Sequence, residues 1–370
     1  MTVWSARRSS GSPTRVTLIT QVDFWRARAG HHARILSLAQ ALAARVALTL
    51  VVPLPLDSAT RARISAAVPL ARVHSLELPV SGARRDALMA LRGFFDAAPQ
   101  DACIIEYLVL DWMRAAVPPG VLTFVDTHDV VSQRDADLAA MGAPMNRSVL
   151  SAEDERQRLQ AFDHVIAISR PDAEVFTQWL GPGRVLLAPH THTLHPTPLR
   201  SEVQRLLFVG SVYAPNLDGL RWFLDAVWPQ LQGRGWVLDV VGDIGPAMQL
   251  CPTAVLQVHG VVPDLHAVYA AADLCINPVR LGSGLKIKTV EALAHGRPLV
   301  ASPHAVRGLE HGSGRAFMVA ETADLFARAL SLLARQPSER RRLADGALAF
   351  AAQEFSNVNG YAALLDALSA

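Results

Sequence analysis

From Arg15 onward the chain is a series of short apolar runs separated by amphipathic stretches. Residues 16–20, 46–52, 70–76, 103–106, 121–125, 165–168 and 185–188 are rich in aliphatic side chains and predict seven strands. Residues 33–44 place Ile35, Leu36, Leu38, Ala39 and Leu42 at helical spacing, and further helices are expected at 84–95, 111–116, 151–162 and 171–180. Strands alternating with helices argue for parallel βαβ units and a sheet covered on both faces.

Residues 190–200 interrupt this pattern with Pro196 and Pro198 and no apolar period, which predicts a linker. The alternation then restarts, with strands expected at 205–209, 237–241, 255–258, 274–276, 298–301 and 316–319. Helices are expected at 217–231 and 265–271, from Leu285 to about His295, and two or three times after Thr322. The expected organisation is a tail at 1–14, an α/β domain at 15–198 and a second at 199–353. A last helix within 354–370 would cross back to the first domain. Two Rossmann-like doubly wound domains would then face each other across a cleft, with ligands at the carboxyl ends of the strands.

Composition narrows the class. Half of the 370 residues are hydrophobic and the net charge is only +2, which argues against disorder and against a nucleic-acid partner. No apolar run reaches the ~20 residues of a membrane span, and no secretory signal opens the chain. Cys103, Cys251 and Cys275 are far apart, as for free thiols in a reducing compartment. A cytoplasmic protein is expected, with peripheral contact at the inner face of a membrane left open. Neither G-x-G-x-x-G nor a Walker A sequence follows the first strand of either half, which lowers dehydrogenase and ATPase readings.

One charge pattern stands out. Arginine outnumbers lysine 33 to 2, and the two lysines, Lys286 and Lys288, lie in Gly282-Ser283-Gly284-Leu285-Lys286-Ile287-Lys288-Thr289-Val290-Glu291. Lysine is a compact point charge where arginine is a broad planar fork. Glycines followed by a helix start let backbone N–H groups face an anion. The stretch predicts a phosphate site.

The second half reads Phe208-Val-Gly-Ser211, Val240-Val-Gly-Asp243, Gly260-Val-Val-Pro-Asp-Leu265, Tyr269-Ala-Ala-Ala-Asp-Leu274 and Asn277-Pro278, and then runs from Gly282 to Val300. This order resembles the nucleotide-binding domain of the group 1 retaining glycosyltransferases with the GT-B fold. A weaker likeness extends to Val125-Asp-Thr-His-Asp129, to 162–169 and to Gly30. The resemblance implies metal-independent transfer of a hexosyl unit from a nucleoside-diphosphate sugar, with retention and without a cofactor, in surface glycan or glycoconjugate synthesis. It implies a glycan or lipid-linked acceptor on the first domain. Glu291 would hold the ribose, and His128 would face the sugar. Ser283 stands where the family usually has a glutamate near the donor sugar, and no Arg–Lys pair follows Val209. Lys286 and Lys288 would then supply the charge for the leaving diphosphate. Gly30, Gly210, Ser211, Val261, Gly282, Ser283, Gly284 and Leu285 are further expected donor contacts, and Arg134 and Arg170 are expected on the acceptor side.

Rival readings stay open for several residues. His128 is a cleft histidine, a structural one, or part of a metal site with Asp126 and Asp129. His190, His192 and His195 fit a solvated hinge or a metal site. The helix with Glu153, Glu155, Arg156 and Arg158 fits a solvated face, and Arg84, Arg85 and Arg92 fit either a sheet-packing helix or a lipid-facing one. Phe24, Trp25, Arg26 and Arg28 are candidates for an acceptor mouth. A nucleotide-sugar 2-epimerase and a non-catalytic sugar-nucleotide-binding protein are the alternatives on this fold.

Overall fold

The computed structural model describes residues 13–26, 29–77, 84–142 and 149–369. The expected tail, apart from Pro13 and Thr14, and Arg28 lie outside them. Two wholly parallel sheets are present. The first contains β1 (Arg15–Ile19), β2 (Ala47–Val52), β3 (Arg72–Ser75), β4 (Ala102–Glu106), β5 (Leu122–Asp126), β6 (His164–Ala167) and β7 (Val185–Leu187), in the spatial order 3-2-1-4-5-6-7. The second contains β8 (Arg205–Val209), β9 (Val237–Val241), β10 (Leu256–Gly260), β11 (Leu274–Asn277), β12 (Leu299–Ala301) and β13 (Met318–Val319), in the order 10-9-8-11-12-13. In both, the order reverses beside the first strand. That opens a crevice where an α/β sheet takes its ligand.

The central strands are apolar on both faces because helices cover both. Val16, Leu18, Leu50 and Ile104 pack to one side of the first sheet, and Ile19, Val51, Cys103, Ile105 and Val125 to the other. The second sheet is covered in the same way, by Leu206, Phe208 and Leu274 on one face and Leu207 and Cys275 on the other. Two helices without a strong apolar period, Ser58–Ala67 and Val131–Ala140, were not evident in the sequence pattern. The first is held by its cap, where Asp57 accepts a hydrogen bond from the Thr60 N–H at 2.6 Å. The second has its first turn bonded by the buried Glu155 carboxylate, which accepts from Val131 and Ser132 N–H at 2.8 and 2.7 Å. Glu155 is therefore not part of a solvated face, whereas Glu153 pairs with Arg156 at the surface. The helix expected at 217–231 runs as Ala214–Trp222 and then widens over Phe223–Val227, just before Pro229, which has no N–H to continue it.

The two lobes meet closely. Ile168, at the end of β6, packs into the core of the second lobe. The final helix, Ala362–Ser369, returns to the first lobe, where Tyr361, Leu364 and Leu368 join the core beside Ile35 and Leu38.

Candidate active site

A cavity of about 550 Å³ lies between the lobes, at the carboxyl ends of β1, β4, β5, β8 and β9. Its second-lobe wall holds Gly210, Ser211, Val261, Ser283, Gly284, Leu285, Lys286, Lys288 and Glu291, and its first-lobe wall holds Gly30, Arg34, Tyr107, His128 and Arg134.

The lysine stretch leaves β11 through a loop whose glycines are needed for their conformation. Gly282 (φ 89°) lies against Pro215, outside the cavity wall, and Gly284 (φ 73°) lies against the His128 carbonyl. The helix begins two residues later than expected, at Ile287, with Lys286 in the capping position. Its N-terminus points toward the cleft, and a Cβ on Gly30 of the opposite lobe would stand 3.0 Å from Ile287. Helix N–H groups from both lobes thus border one space, as an anion site requires.

The lysines divide their work. The Lys286 ammonium donates to the carbonyls of Gly282, Ser283 and Gly284 at 2.7, 2.9 and 3.1 Å, drawing the loop around itself. Lys288 donates to Asn216 Oδ1 at 2.8 Å and sits 4.3 Å above the Phe208 ring. Burial pushes Lys286 down to about 8 and Lys288 down to about 7. Burial also pushes Glu291 up to about 7, against the opposing pull of the Tyr269 hydroxyl, which donates to it at 2.9 Å, and of Lys288. Ser283 Oγ is buried in the wall without a hydrogen-bond partner.

On the first lobe, His128 follows β5 with φ 63° and stacks on Tyr107, which follows β4 with φ 67°, at 3.9 Å between ring centroids. Left-handed backbone at two bulky residues costs of order 1–3 kcal/mol each and is held by what surrounds them. His128 Nε2 is 2.6 Å from Glu106 Oε2 and 3.9 Å from Asp126 Oδ2. Burial opposes charge on the imidazole, but Asp126 and Glu106 outweigh it and raise its pKa. Asp126 in turn is bound by Arg34, with Nη2 at 3.0 Å and Nε at 3.2 Å.

Glu106, Asp126 and His128 offer ligand atoms within 4.8 Å of one another, and they are the one such trio among the described residues. The Arg34 guanidinium pairs with Asp126 through Oδ2 alone, and Asp126 Oδ1 and Glu106 Oε1 stay buried without a hydrogen-bond partner, so the trio is a charge network with two open carboxylate oxygens. Asp129 does not join it. Arg134 binds both of its carboxylate oxygens at 3.0 and 2.9 Å, so this arginine lines the cavity already paired.

Other expected site residues fall elsewhere. Arg170 is not in the cavity wall; it is half-exposed and binds Glu354 at 2.9 Å, tying the first lobe to the long helix Pro337–Glu354. Phe24 is buried in the first-lobe core and Arg26 pairs with Asp23. Arg84 stacks on Trp112. The linker histidines are not a solvated hinge. His190 is buried, and His192 and His195 pack with His266 and His295 at ring separations of 4.7 to 5.7 Å. His295 stacks on Tyr269 at 4.7 Å, so this cluster backs the residue that holds Glu291.

Sequence reading missed Glu106, Tyr107, Arg34, Tyr269 and Asn216. Glu106 carried a usable signal, an acidic residue ending an otherwise apolar strand.

Known proteins share this fold. Residues 203–336 match the family model "Glycosyl transferases group 1". An uncharacterized 44.6 kDa protein in the cps region of Klebsiella pneumoniae is 22% identical over 213 residues, 53% of this chain and 54% of that relative. The match thus spans about half of either protein. Anabaena HepE in complex with UDP superimposes with a TM-score of 0.73 at 14% identity, over 96% of this chain and 100% of that one. Sucrose-phosphate synthase from Thermosynechococcus elongatus does so with 0.71 at 14%, over 96% and 97%. A glycosyltransferase from Rickettsia africae does so with 0.72 at 9%, over 96% and 98%. The fold is that of the GT-B glycosyltransferases, and the family match lies within the second lobe.

Proposed function

We propose that this chain transfers a hexosyl unit from a nucleoside-diphosphate sugar to an acceptor hydroxyl, with retention at the anomeric carbon. The observation that carries this reading is the convergence on one cleft of a helix N-terminus with Lys288 and Glu291 from one lobe and His128 from the other. The diphosphate would lie across the glycine loop, against the N–H groups that open the helix Ile287–Ala294. Lys288 would exchange Asn216 for a phosphate oxygen, while Lys286 keeps the loop closed. Glu291 would accept from the ribose hydroxyls.

In the transfer, the bond from the anomeric carbon to the diphosphate oxygen breaks as the acceptor oxygen bonds to that carbon on the same face. The acceptor proton passes to the departing phosphate oxygen. Charge grows on the leaving group, where the helix N-terminus and Lys288 stabilise it more than in the ground state. Nε2 of His128 is committed to Glu106, leaving Nδ1 for a sugar hydroxyl. The acceptor, a glycan or lipid-linked saccharide, would approach past Arg134.

A thermal-shift panel of UDP, GDP, ADP and TDP tests the reading. One nucleoside diphosphate should raise Tm, and its sugar conjugates should be consumed when acceptors are added. Absence of a shift with all four overturns it.

A further inference from the structure

We propose that Tyr361, on the segment that returns from the second lobe, is a positioning residue for His128, acting through Arg34 and Asp126; this rests on the reading of the cleft as a transferase site. Tyr361 is fully buried, and its ring lies 5.2 Å from the Arg34 guanidinium carbon. Its hydroxyl donates to Ser37 at 3.0 Å, and Ser37 is bonded to Thr191 of the linker at 2.7 Å. A Cβ on Gly360 would collide with Thr191, so the chain must pass this point as glycine to seat the ring.

Arg34 has one further anchor, the Pro189 carbonyl at 2.9 Å, and then reaches Asp126, which stands 3.9 Å from His128. The guanidinium is 1% exposed, so its position is set by these contacts rather than by water. The charged or titratable groups facing His128 are Glu106 from the end of β4, Asp126 from the end of β5, and Arg34 and His31 from the helix Gly30–Ala43, with Tyr107 stacked above. Of these, Arg34 is the cation whose withdrawal would leave two carboxylates acting on one imidazole. An aromatic face under Arg34 holds it in place. The returning segment would then position the cleft histidine of the first lobe, a role distinct from covering its core.

The test is the titration of the His128 ring in the full chain, followed by NMR and assigned with His128→Gln. Tyr361→Phe, which keeps the ring, should titrate as the unaltered chain does. Tyr361→Met, smaller, flexible and without a π face, should shift the His128 midpoint upward by at least ~0.3 pH units, with UDP affinity unchanged. Should Tyr361→Met fail to fold, Tyr361→Leu, which also lacks a π face, serves in its place and should shift the midpoint too. An unmoved midpoint in either folded variant overturns the proposal. UDP binding reports separately on the transferase reading, since the imidazole titration requires no nucleotide.

Discussion

A Cβ on Gly284 would stand 2.7 Å from the carbonyl oxygen of His128, so the donor loop of one lobe rests directly on the histidine loop of the other. Both residues are left-handed, Gly284 at φ 73° and His128 at φ 63°. Two unusual backbone conformations therefore support each other across the cleft, and the separation of the lobes at the site is set by backbone contact.

Gly284→Ala should accordingly cost more than its conformation alone. A non-glycine residue at positive φ costs roughly 1–2 kcal/mol, and the collision with His128 adds to that. Gly183, at φ 85° with nothing within 4 Å of a Cβ, is the control for conformation. Gly284→Ala should lower Tm further than Gly183→Ala and weaken nucleoside-diphosphate binding, while Gly183→Ala leaves binding unchanged. Equal effects would show that the contact carries no energy.

The two lysines should separate by readout. Lys286 ties three carbonyls, so Lys286→Met should lower both Tm and diphosphate affinity. Lys288→Met should lower affinity by about tenfold or more, with Tm held or raised, because a buried amine no longer has to be desolvated. Lys288→Arg should not restore affinity, since a planar fork does not fit between Asn216 and Phe208. Calorimetry beside thermal unfolding checks both.

Affinity for the diphosphate should also follow a bell in pH centred near neutrality. Lys288, pushed down to about 7 by burial, loses its charge as pH rises through that value. Glu291, pushed up to about 7 by burial, loses its charge as pH falls through it. The two limbs belong to the pair and not to either residue. Lys288→Met should move the alkaline limb up to about 8, where Lys286 loses its charge, and leave the acid limb in place.

The linker histidines make stability sensitive to acid. Burial holds His190, His192 and His195 below the ordinary imidazole value and His295 at about 4. The unfolded chain therefore binds protons below the ordinary value of 6.5 that the folded cluster refuses. The contribution of His295 is full above that pH and lost between there and about 4, at up to about 1.4 kcal/mol per pH unit, and the other three act in the same direction. His295→Gln should flatten the fall in Tm across this window. Asp264, which faces His195, opposes the effect at that ring.

Most strands and the linker were legible because their pattern is local: a buried parallel strand must be apolar on both faces, and a proline-interrupted run cannot continue a helix. The lysine stretch was legible for the same reason. Its chemistry, a glycine loop before a helix, is written in consecutive residues. The partners of His128 were not. Glu106 and Arg34 come from a different strand and a different helix, and only the parallel order 1-4-5 of the first sheet brings β4 beside β5 and places Glu106 against His128. Spacing put Asp126 and Asp129 beside His128, and Asp126 does stand there, but Arg134, five residues on, takes Asp129 instead. The histidine cluster was hidden in the same way, since His266 and His295 are 71 and 100 residues from His195 only as numbers along the chain and are its neighbours in space.

Tyr269 offers the sharpest test of how Glu291 is used. Its hydroxyl donates to Glu291 at 2.9 Å, and its ring is stacked on His295, so the carboxylate is aimed by a buried group with no freedom of its own. Tyr269→Phe removes that donor, leaves the carboxylate buried with Lys288 as its remaining partner, and should push Glu291 higher still. If Glu291 holds the ribose, affinity for a nucleoside diphosphate should fall by about tenfold, the worth of one charge-assisted hydrogen bond. Inorganic pyrophosphate, which has no ribose, should bind the variant as it binds the unaltered chain. Competition titrations with both ligands on Tyr269→Phe and Glu291→Gln decide it. Equal losses for nucleotide and pyrophosphate would move Glu291 from the ribose to the phosphate side of the site.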